Sequence, residues 1–187
     1  MPAEVLIAVL FGALMHACYH AIIKLGGDKI AGLCLIATNV FADTEVRLPV
    51  RAVQWSFGGQ LAARILFSRL GLRVMLRRGS TVRLDPDAYL GDDPQREAIA
   101  TIFTHAMGEL DERYTFAEPA LRNLRVPVLI TWGDHDPFFP EAQAHRTANA
   151  TVYGRLIVHE GARHFLPAER PAEVADELRG LVRQATS

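Results

Sequence analysis

Two short apolar runs in the C-terminal third constrain the fold of this chain most. The run Val126–Trp132 is mostly aliphatic and β-branched, and after Gly133 the chain enters a loop that contains Asp136. The run Leu156–His159 is followed by a loop that contains His164. Apolar runs of this length are typical of strands in a buried parallel sheet. Asp136 and His164 are 28 positions apart, which leaves room for one connecting helix, so the sequence predicts an acid and a histidine beyond consecutive parallel strands.

The order of the other patterns predicts an α/β fold. Strand-length apolar runs and helix-length stretches alternate near both ends of the chain. The middle, residues 41–116, is instead helical and amphipathic in pattern, most clearly over Gln60–Leu70 and Pro94–Glu112. We therefore expect a parallel sheet with a helical insertion. The elements predicted around that insertion are a strand over residues 4–9, a helix over 12–25, a strand over 31–37, the two strands above and a final helix over 171–184.

Arranged in this order, these motifs resemble those of the α/β-hydrolase family. The residues that carry the resemblance are Gly133-x-x-Asp136, Pro140, Gly161-x-x-His164 and the pair Pro167 and Pro171. The resemblance implies a partial α/β-hydrolase parallel sheet, formed by residues 1–42 and 116–187, with a helical cap over residues 43–115. It also implies a Ser-Asp-His-type relay, in which His164 moves the proton and Asp136 orients the imidazole.

The activity that the resemblance implies is hydrolysis of an ester, a lactone or a related acyl-type bond in a small-molecule substrate, without a cofactor. The sequence of a cap does not identify the ligand that its side chains contact, so the substrate itself is not predicted. The alternative function is a non-catalytic interaction protein of hydrolase ancestry.

Two segments compete for the nucleophile, which the family places at a strand-to-helix elbow with the pattern Gly-x-Ser-x-Gly. Ala8–Gly12 has the expected strand before it and helix after it, but the nucleophile position is Leu10. Gln54–Gly59 keeps a serine, Ser56, yet the strand that should follow, Leu72–Arg78, contains three arginines. We favour the Leu10 alignment, which leaves the relay without a nucleophile. Ser56 is the alternative nucleophile or, if not, the N-cap of a cap helix.

The resemblance also leaves a gap upstream. Nine residues precede Leu10, whereas the first four strands of the family need on the order of a hundred residues. We therefore expect the sequence to correspond to the C-terminal part of a hydrolase, without the loop that supplies one oxyanion-hole donor. The strand at residues 4–9 would then lack neighbours on one side. An apolar, unpaired edge favours self-association or a partner chain that supplies strands.

The charge balance gives no electrostatic argument for a nucleic-acid partner, because 20 basic and 21 acidic residues leave a net charge of −1. Arginines do gather between Arg64 and Arg83, but apolar residues interleave them, which predicts the solvated side of an amphipathic helix. Cys18 and Cys34 lie in apolar sequence and fit reduced, buried thiols of a cytoplasmic protein.

Three histidines suggest metal binding at first sight. His16 and His20 stand four residues apart and could share one helix face, but no third ligand is recognisable near them. His135 lies between Asp134 and Asp136, and three consecutive loop residues cannot easily converge on one ion. We predict no metal site.

The N-terminal stretch Val5–Ile23 contains no charged residue and is long enough to span a bilayer. No Lys or Arg precedes it, and Gly12 interrupts it. We therefore favour a buried strand followed by a helix, with a membrane anchor at residues 5–23 as the alternative.

Overall fold

Four parallel strands form the sheet in this computed structural model, which describes residues 6–11, 30–44, 50–86, 93–108 and 110–186. The strands lie in the order β1-β2-β3-β4, and each neighbouring pair is parallel. The expected parallel α/β architecture is confirmed. The strand bounds are Leu6–Phe11 (β1), Ile30–Ile36 (β2), Val128–Gly133 (β3) and Gly154–His159 (β4).

The described helices fall into two groups along the chain. Those between β2 and β3 are a 3₁₀ helix at Val50–Gln54, α1 at Gly59–Leu66, α2 at Arg69–Gly79, α3 at Asp93–Gly108 and α4 at Leu110–Asn123. Those after β3 are α5 at Glu141–Ala150, α6 at Leu166–Glu169 and α7 at Pro171–Thr186.

The two central strands, β2 and β3, are buried on both faces. Side chains alternate across a strand, so Leu35 and Ile130 join one hydrophobic cluster with residues of the helices between β2 and β3. Ile36 and Leu129 join a second cluster with residues of α7. The apolar runs in the sequence follow from this double coverage. β4 is less buried than its sequence predicts because it lies at one end of the described sheet.

The helical pattern of the middle region is confirmed, but the helices break where the sequence predicted continuity. The stretch Gln60–Leu70 is divided between α1 and α2. Ser68 accounts for the break, because its Oγ accepts a hydrogen bond from the Gly71 backbone N–H at 3.1 Å and thereby caps α2. A side chain at Gly71 would lie 2.2 Å from the Ile65 carbonyl oxygen, so the tight join between the two helices requires glycine.

The N-terminal strand is present, shifted by two residues from the prediction. Leu10 lies inside β1 and pairs with Leu35 of β2. Residues 12–29, with the predicted helix, Cys18, His16 and His20, lie outside the described residues. Of the stretch Val5–Ile23, the described part is the strand β1. Within the described residues, no helix has the length and apolar character needed to cross a membrane.

Candidate active site

Asp136 and His164 meet beyond the carboxyl ends of β3 and β4. Gly133 pairs with His159 in the sheet, so both strands end at the same level. Asp136 Oδ2 lies 2.8 Å from His164 Nδ1. This contact was expected from the order and spacing of the two residues, and the geometry is confirmed. Their catalytic roles remain predictions.

The Asp136 carboxylate is fully buried and held by its own loop. Its Oδ1 accepts backbone hydrogen bonds from Phe138 at 2.8 Å and from Phe139 at 3.1 Å. A buried carboxylate is costly unless such donors satisfy it. Because Oδ1 is occupied in this way, Oδ2 points to His164 in a fixed orientation. A hydrogen on Nδ1 then donates to the carboxylate, which leaves the lone pair of the neutral ring on Nε2.

Three phenylalanines surround the His164 ring. Phe138 and Phe165 contact it edge to face, with centroid distances of 4.9 and 5.1 Å. Phe139 lies at 5.7 Å in a tilted arrangement. The His164 side chain is 11 % exposed, so water reaches only a small part of the ring. Aromatic walls and the carboxylate together fix the orientation of the imidazole.

Two glycines allow the loop after β4 to cross the end of β3. A side chain at Gly133 would lie 2.3 Å from the Arg163 carbonyl oxygen, a distance that no Cβ tolerates. Gly161 has a φ of +70°, in the left-handed region that favours glycine. The crossing is closed by a hydrogen bond from the His135 backbone N–H to the Ala162 carbonyl at 3.0 Å. Both glycines of the sequence motif therefore have a steric reason.

The C-terminus of α2 also holds the histidine loop, a contact that sequence reasoning missed. The Gly79 carbonyl accepts backbone hydrogen bonds from His164 at 2.9 Å and from Phe165 at 3.1 Å. A side chain at Gly79 would lie 2.5 Å from the Phe165 ring and 2.7 Å from the Phe138 ring. The absence of a side chain at this position lets the aromatic walls close on His164.

A buried glutamate ties the same two segments together. Glu169 Oε2 accepts hydrogen bonds from the Thr81 hydroxyl at 2.7 Å, the Thr81 backbone N–H at 3.1 Å and the Arg163 backbone N–H at 3.1 Å. The Arg163 guanidinium in turn donates to the Arg77 carbonyl at 3.2 Å. The loop that carries His164 is thus attached to the end of α2 at several points.

The structure does not place Ser56 at a strand-to-helix elbow. Ser56 is exposed in a turn, and the element directly before this turn is the 3₁₀ helix Val50–Gln54 rather than a strand. The N-cap of α1 is Gly58, with a φ of 93°, and the alternative prediction that Ser56 caps this helix is wrong. Glycine takes that position because the turn requires the left-handed region. Leu10 lies in β1, and the segment that begins at Gly12 lies outside the described residues.

Asp134 and Asp136 serve different partners. Asp134 Oδ1 lies 2.7 Å from His135 Nδ1, and this hydrogen bond is the main reason that the pKa of Asp134 is lowered from its ordinary value. Asp136 turns inward to His164 instead. Within the described part of the chain, no group of three His, Cys, Asp or Glu side chains is arranged to hold a metal ion.

A second buried histidine lies at the end of β4. His159 Nδ1 lies 3.0 Å from a Glu173 oxygen, and its Nε2 lies 2.9 Å from a Glu177 oxygen and 3.0 Å from the Thr131 hydroxyl. Burial and, to a lesser extent, the Glu177 charge raise the pKa of the Cys34 thiol to about 12. This polar cluster lies on the α7 face of the sheet, and no local sequence pattern predicts it.

A cleft of about 330 Å³ lies between α1 and α3. This volume is at the lower end of the range for small-molecule sites. Charge is balanced at its rim, where Arg64 binds Glu97 at 2.6 Å and Arg96 binds Asp93. The lining residues are Arg64, Phe67, Ser68, Asp93, Arg96 and Glu97.

Comparisons with known proteins agree with the fold. The sequence profile of the alpha/beta hydrolase family matches residues 2–177, while no curated protein sequence gives a significant match. Among solved structures, a putative ancestral haloalkane dehalogenase superposes with a TM-score of 0.75 at 16 % identity, over 99 % of this chain and 70 % of that chain. A haloalkane dehalogenase from Bradyrhizobium elkani gives 0.76 at 15 %, over 97 % and 67 %. A carboxylesterase from Bacillus subtilis gives 0.62 at 16 %, over 97 % and 61 %.

Proposed function

The chain belongs to the alpha/beta hydrolase family, and we propose that it hydrolyses an ester, a lactone or a related acyl-type bond with His164 as general base. The observation that carries the proposal is the 2.8 Å contact between His164 Nδ1 and Asp136 Oδ2. A carboxylate in this position stabilises the tautomer that can accept a proton at Nε2, and afterwards the imidazolium that results. The buried, aromatic surroundings of the ring strengthen that interaction.

The proposed reaction moves one proton twice. His164 Nε2 removes the proton of a hydroxyl nucleophile while its oxygen attacks the carbonyl carbon of the substrate. The carbon–oxygen bond to the leaving group then breaks, and the imidazolium returns the proton to the departing oxygen. With water as the nucleophile this releases the acid; with a serine it leaves an acyl-enzyme, and a water molecule activated by His164 repeats both steps to release the acid and free the serine. Asp136 remains ionised throughout and neutralises the positive ring.

The nucleophile is the second element of the proposal. Ser56 is the serine of the elbow-like segment Gln54–Gly59, and it lies in an exposed turn rather than after a strand. A water molecule activated by His164 requires no serine at all. Leu10 has no group that can attack a carbonyl. Because Leu10 supplies no nucleophile at the position that the family uses, we expect slow turnover.

Hydrolysis of p-nitrophenyl butyrate by the purified chain tests the proposal. We expect His164→Ala to reduce the enzymatic rate by about 10²–10⁴-fold, the usual contribution of a general base. His145→Ala is the matched control, because His145 is exposed and contacts Glu141 on α5. A rate for His164→Ala equal to that of the wild type would refute the proposal.

Two further variants separate the roles within the site. Asp136→Asn keeps the shape of the side chain but removes its charge, so we expect a large loss of rate. Ser56→Ala abolishes turnover if Ser56 is the nucleophile and leaves it unchanged if water attacks. Halide release from 1-bromobutane by the same variants tests the alternative chemistry suggested by the names of the dehalogenase neighbours.

A non-catalytic binding protein is the second candidate function, and Leu10 favours it. Leu10 lies on β1, in the segment whose sequence aligns best with the nucleophile elbow. In that case neither p-nitrophenyl butyrate nor 1-bromobutane is consumed faster than in buffer alone. The rates with the His164 and Ser56 variants then equal the rate with the wild type. That outcome would replace the hydrolase proposal.

A further inference from the structure

Residues 50–84, which we call the arginine segment, have an unusual charge distribution. They contain seven of the 20 basic residues of the chain and none of its 21 acidic residues. All seven residues are exposed, and Arg64 pairs with Glu97 of α3 at 2.6 Å. The segment is therefore strongly basic in a chain whose net charge is −1. The seven are Arg51, Arg64, Arg69, Arg73, Arg77, Arg78 and Arg83.

The arginine segment also exposes large apolar side chains. The sequence predicts that the arginines form the solvated side of an amphipathic helix. α1 and α2 do bury apolar residues, such as Leu66 and Leu72. Each helix also exposes a pair of apolar residues four positions apart, Leu61 and Ile65 in α1 and Leu70 and Val74 in α2. The exposed fractions are 58 % for Trp55, 97 % for Phe57, 62 % for Leu61, 61 % for Ile65, 69 % for Leu70 and 49 % for Val74.

Such a surface needs a partner that is both apolar and negatively charged. Exposed apolar groups of this size mark interaction sites on soluble proteins. A second copy of the chain would bring two arginine segments together in a two-fold contact, and juxtaposed like charges disfavour that pairing. The charge of the segment therefore argues for an anionic partner and against self-association through this surface.

We propose that the arginine segment binds the surface of an anionic lipid bilayer. Arginine beside exposed Trp, Phe and Leu is the composition of helices that lie in the headgroup region. Trp55 and Phe57 precede α1 and supply the aromatic side chains that prefer this depth. None of these exposed apolar residues lines the cleft between α1 and α3, so a ligand in the cleft does not cover them. A bilayer can bury exposed apolar side chains without a complementary pocket.

Sedimentation of the full chain with lipid vesicles tests this inference. We compare vesicles of phosphatidylcholine alone with vesicles that contain equal parts of phosphatidylglycerol, at low and high salt. The arginines predict binding to the anionic vesicles, and weaker binding at high salt because salt screens the attraction. Trp55 provides a second readout, since its emission should shift to the blue on binding. Trp132 is fully buried and contributes a constant background.

Paired variants separate the electrostatic and apolar contributions. Each basic residue near an anionic surface contributes about 1 kcal/mol, a factor of about five in affinity, so Arg73→Glu with Arg77→Glu should weaken binding at least about 25-fold. Phe57→Ser should weaken it by about tenfold or more. The controls are Arg183→Glu on α7 and Tyr153→Ser, whose residue is as exposed as Trp55. Both controls should bind as the wild type.

Four results would overturn the inference, the last of them a dimer. The first is equal sedimentation with neutral and anionic vesicles, and the second is equal binding by the Arg73/Arg77 double variant and the Arg183→Glu control. The third is binding to poly-glutamate without binding to vesicles, which would assign the segment to an acidic protein partner. A dimer that is seen by light scattering and lost in Phe57→Ser would instead identify a second copy as the occupant. Vesicle binding requires no turnover, so the result is independent of the hydrolase proposal.

Discussion

Replacing Gly79 by alanine should disturb the walls around His164 without straining the backbone. Gly79 is the last residue of α2, and its φ is not in the left-handed region. The new methyl group would lie 2.5 Å from the Phe165 ring and 2.7 Å from the Phe138 ring. Both rings contact the His164 imidazole edge to face. Any relief of the clash must therefore move the aromatic walls of the site.

The expected size of this effect follows from two opposing terms. Overpacking a core by one methyl group costs about 1–3 kcal/mol. Alanine recovers up to about 1 kcal/mol relative to glycine in a helix. With the full helix term subtracted, the net loss in the free energy of unfolding should be up to about 2 kcal/mol. For a chain of this size we expect Tm to fall by up to roughly 8 °C.

Gly180→Ala provides the matched control for this variant. A side chain at Gly180 of α7 would meet only the Arg183 guanidinium, at 3.9 Å. This substitution should leave Tm unchanged or raise it, because nothing opposes the helix propensity of alanine. Thermal unfolding gives Tm, and ¹H–¹⁵N spectra of the imidazole should show shifted His164 signals in Gly79→Ala only. A Gly79→Ala protein as stable as wild type, with unshifted His164 signals, would show that a side chain at position 79 does not displace the aromatic walls.

Three further predictions concern the loop, the core and the sheet edge. Gly161→Ala should lower the free energy of unfolding by about 1–2 kcal/mol, because a non-glycine residue at positive φ is strained; urea unfolding measures this, and an equally stable variant would contradict it. The free energy of unfolding should fall as pH rises from about 8.5 towards 12, since the Cys34 thiol ionises near 8.5 when unfolded and only at about 12 when buried. Cys34→Ala should show a smaller fall by up to about 1.4 kcal/mol per pH unit, and equal slopes would be inconsistent with the raised pKa. β1 lies at one end of the described sheet, so we expect self-association through it; light scattering should show a mass that Ile7→Lys lowers, and a monomer unaffected by Ile7→Lys would mean that the edge is covered.

The sequence predicted the parts of the fold that local pattern determines. β2 and β3 could be predicted from their apolar runs, because both faces of each strand are buried. Asp136 and His164 could be paired because consecutive parallel strands bring their carboxyl ends together. Their glycines, Gly133 and Gly161, marked the positions where the backbone turns.

The contacts that support the site left no local signal. Glu169 and Thr81 are 88 positions apart, and nothing near either residue predicts that they bind. Gly79 resembles an ordinary helix terminus in sequence, and only the three-dimensional packing shows why a side chain is excluded. A serine shortly before a helix predicts a cap at Ser56, but the N-cap is Gly58, whose backbone lies in the left-handed region.

The tautomer of His164, read from the ¹⁵N signals of its imidazole, tests the proposed relay most directly. In the relay the neutral ring carries its hydrogen on Nδ1 and donates it to Asp136, so Asp136→Asn should change the hydrogen bond and shift these signals. The signals of exposed His145 should be the same in both proteins. A His164 ring with its hydrogen on Nε2, or signals that Asp136→Asn leaves unchanged, would contradict the relay on which the proposed hydrolase chemistry depends.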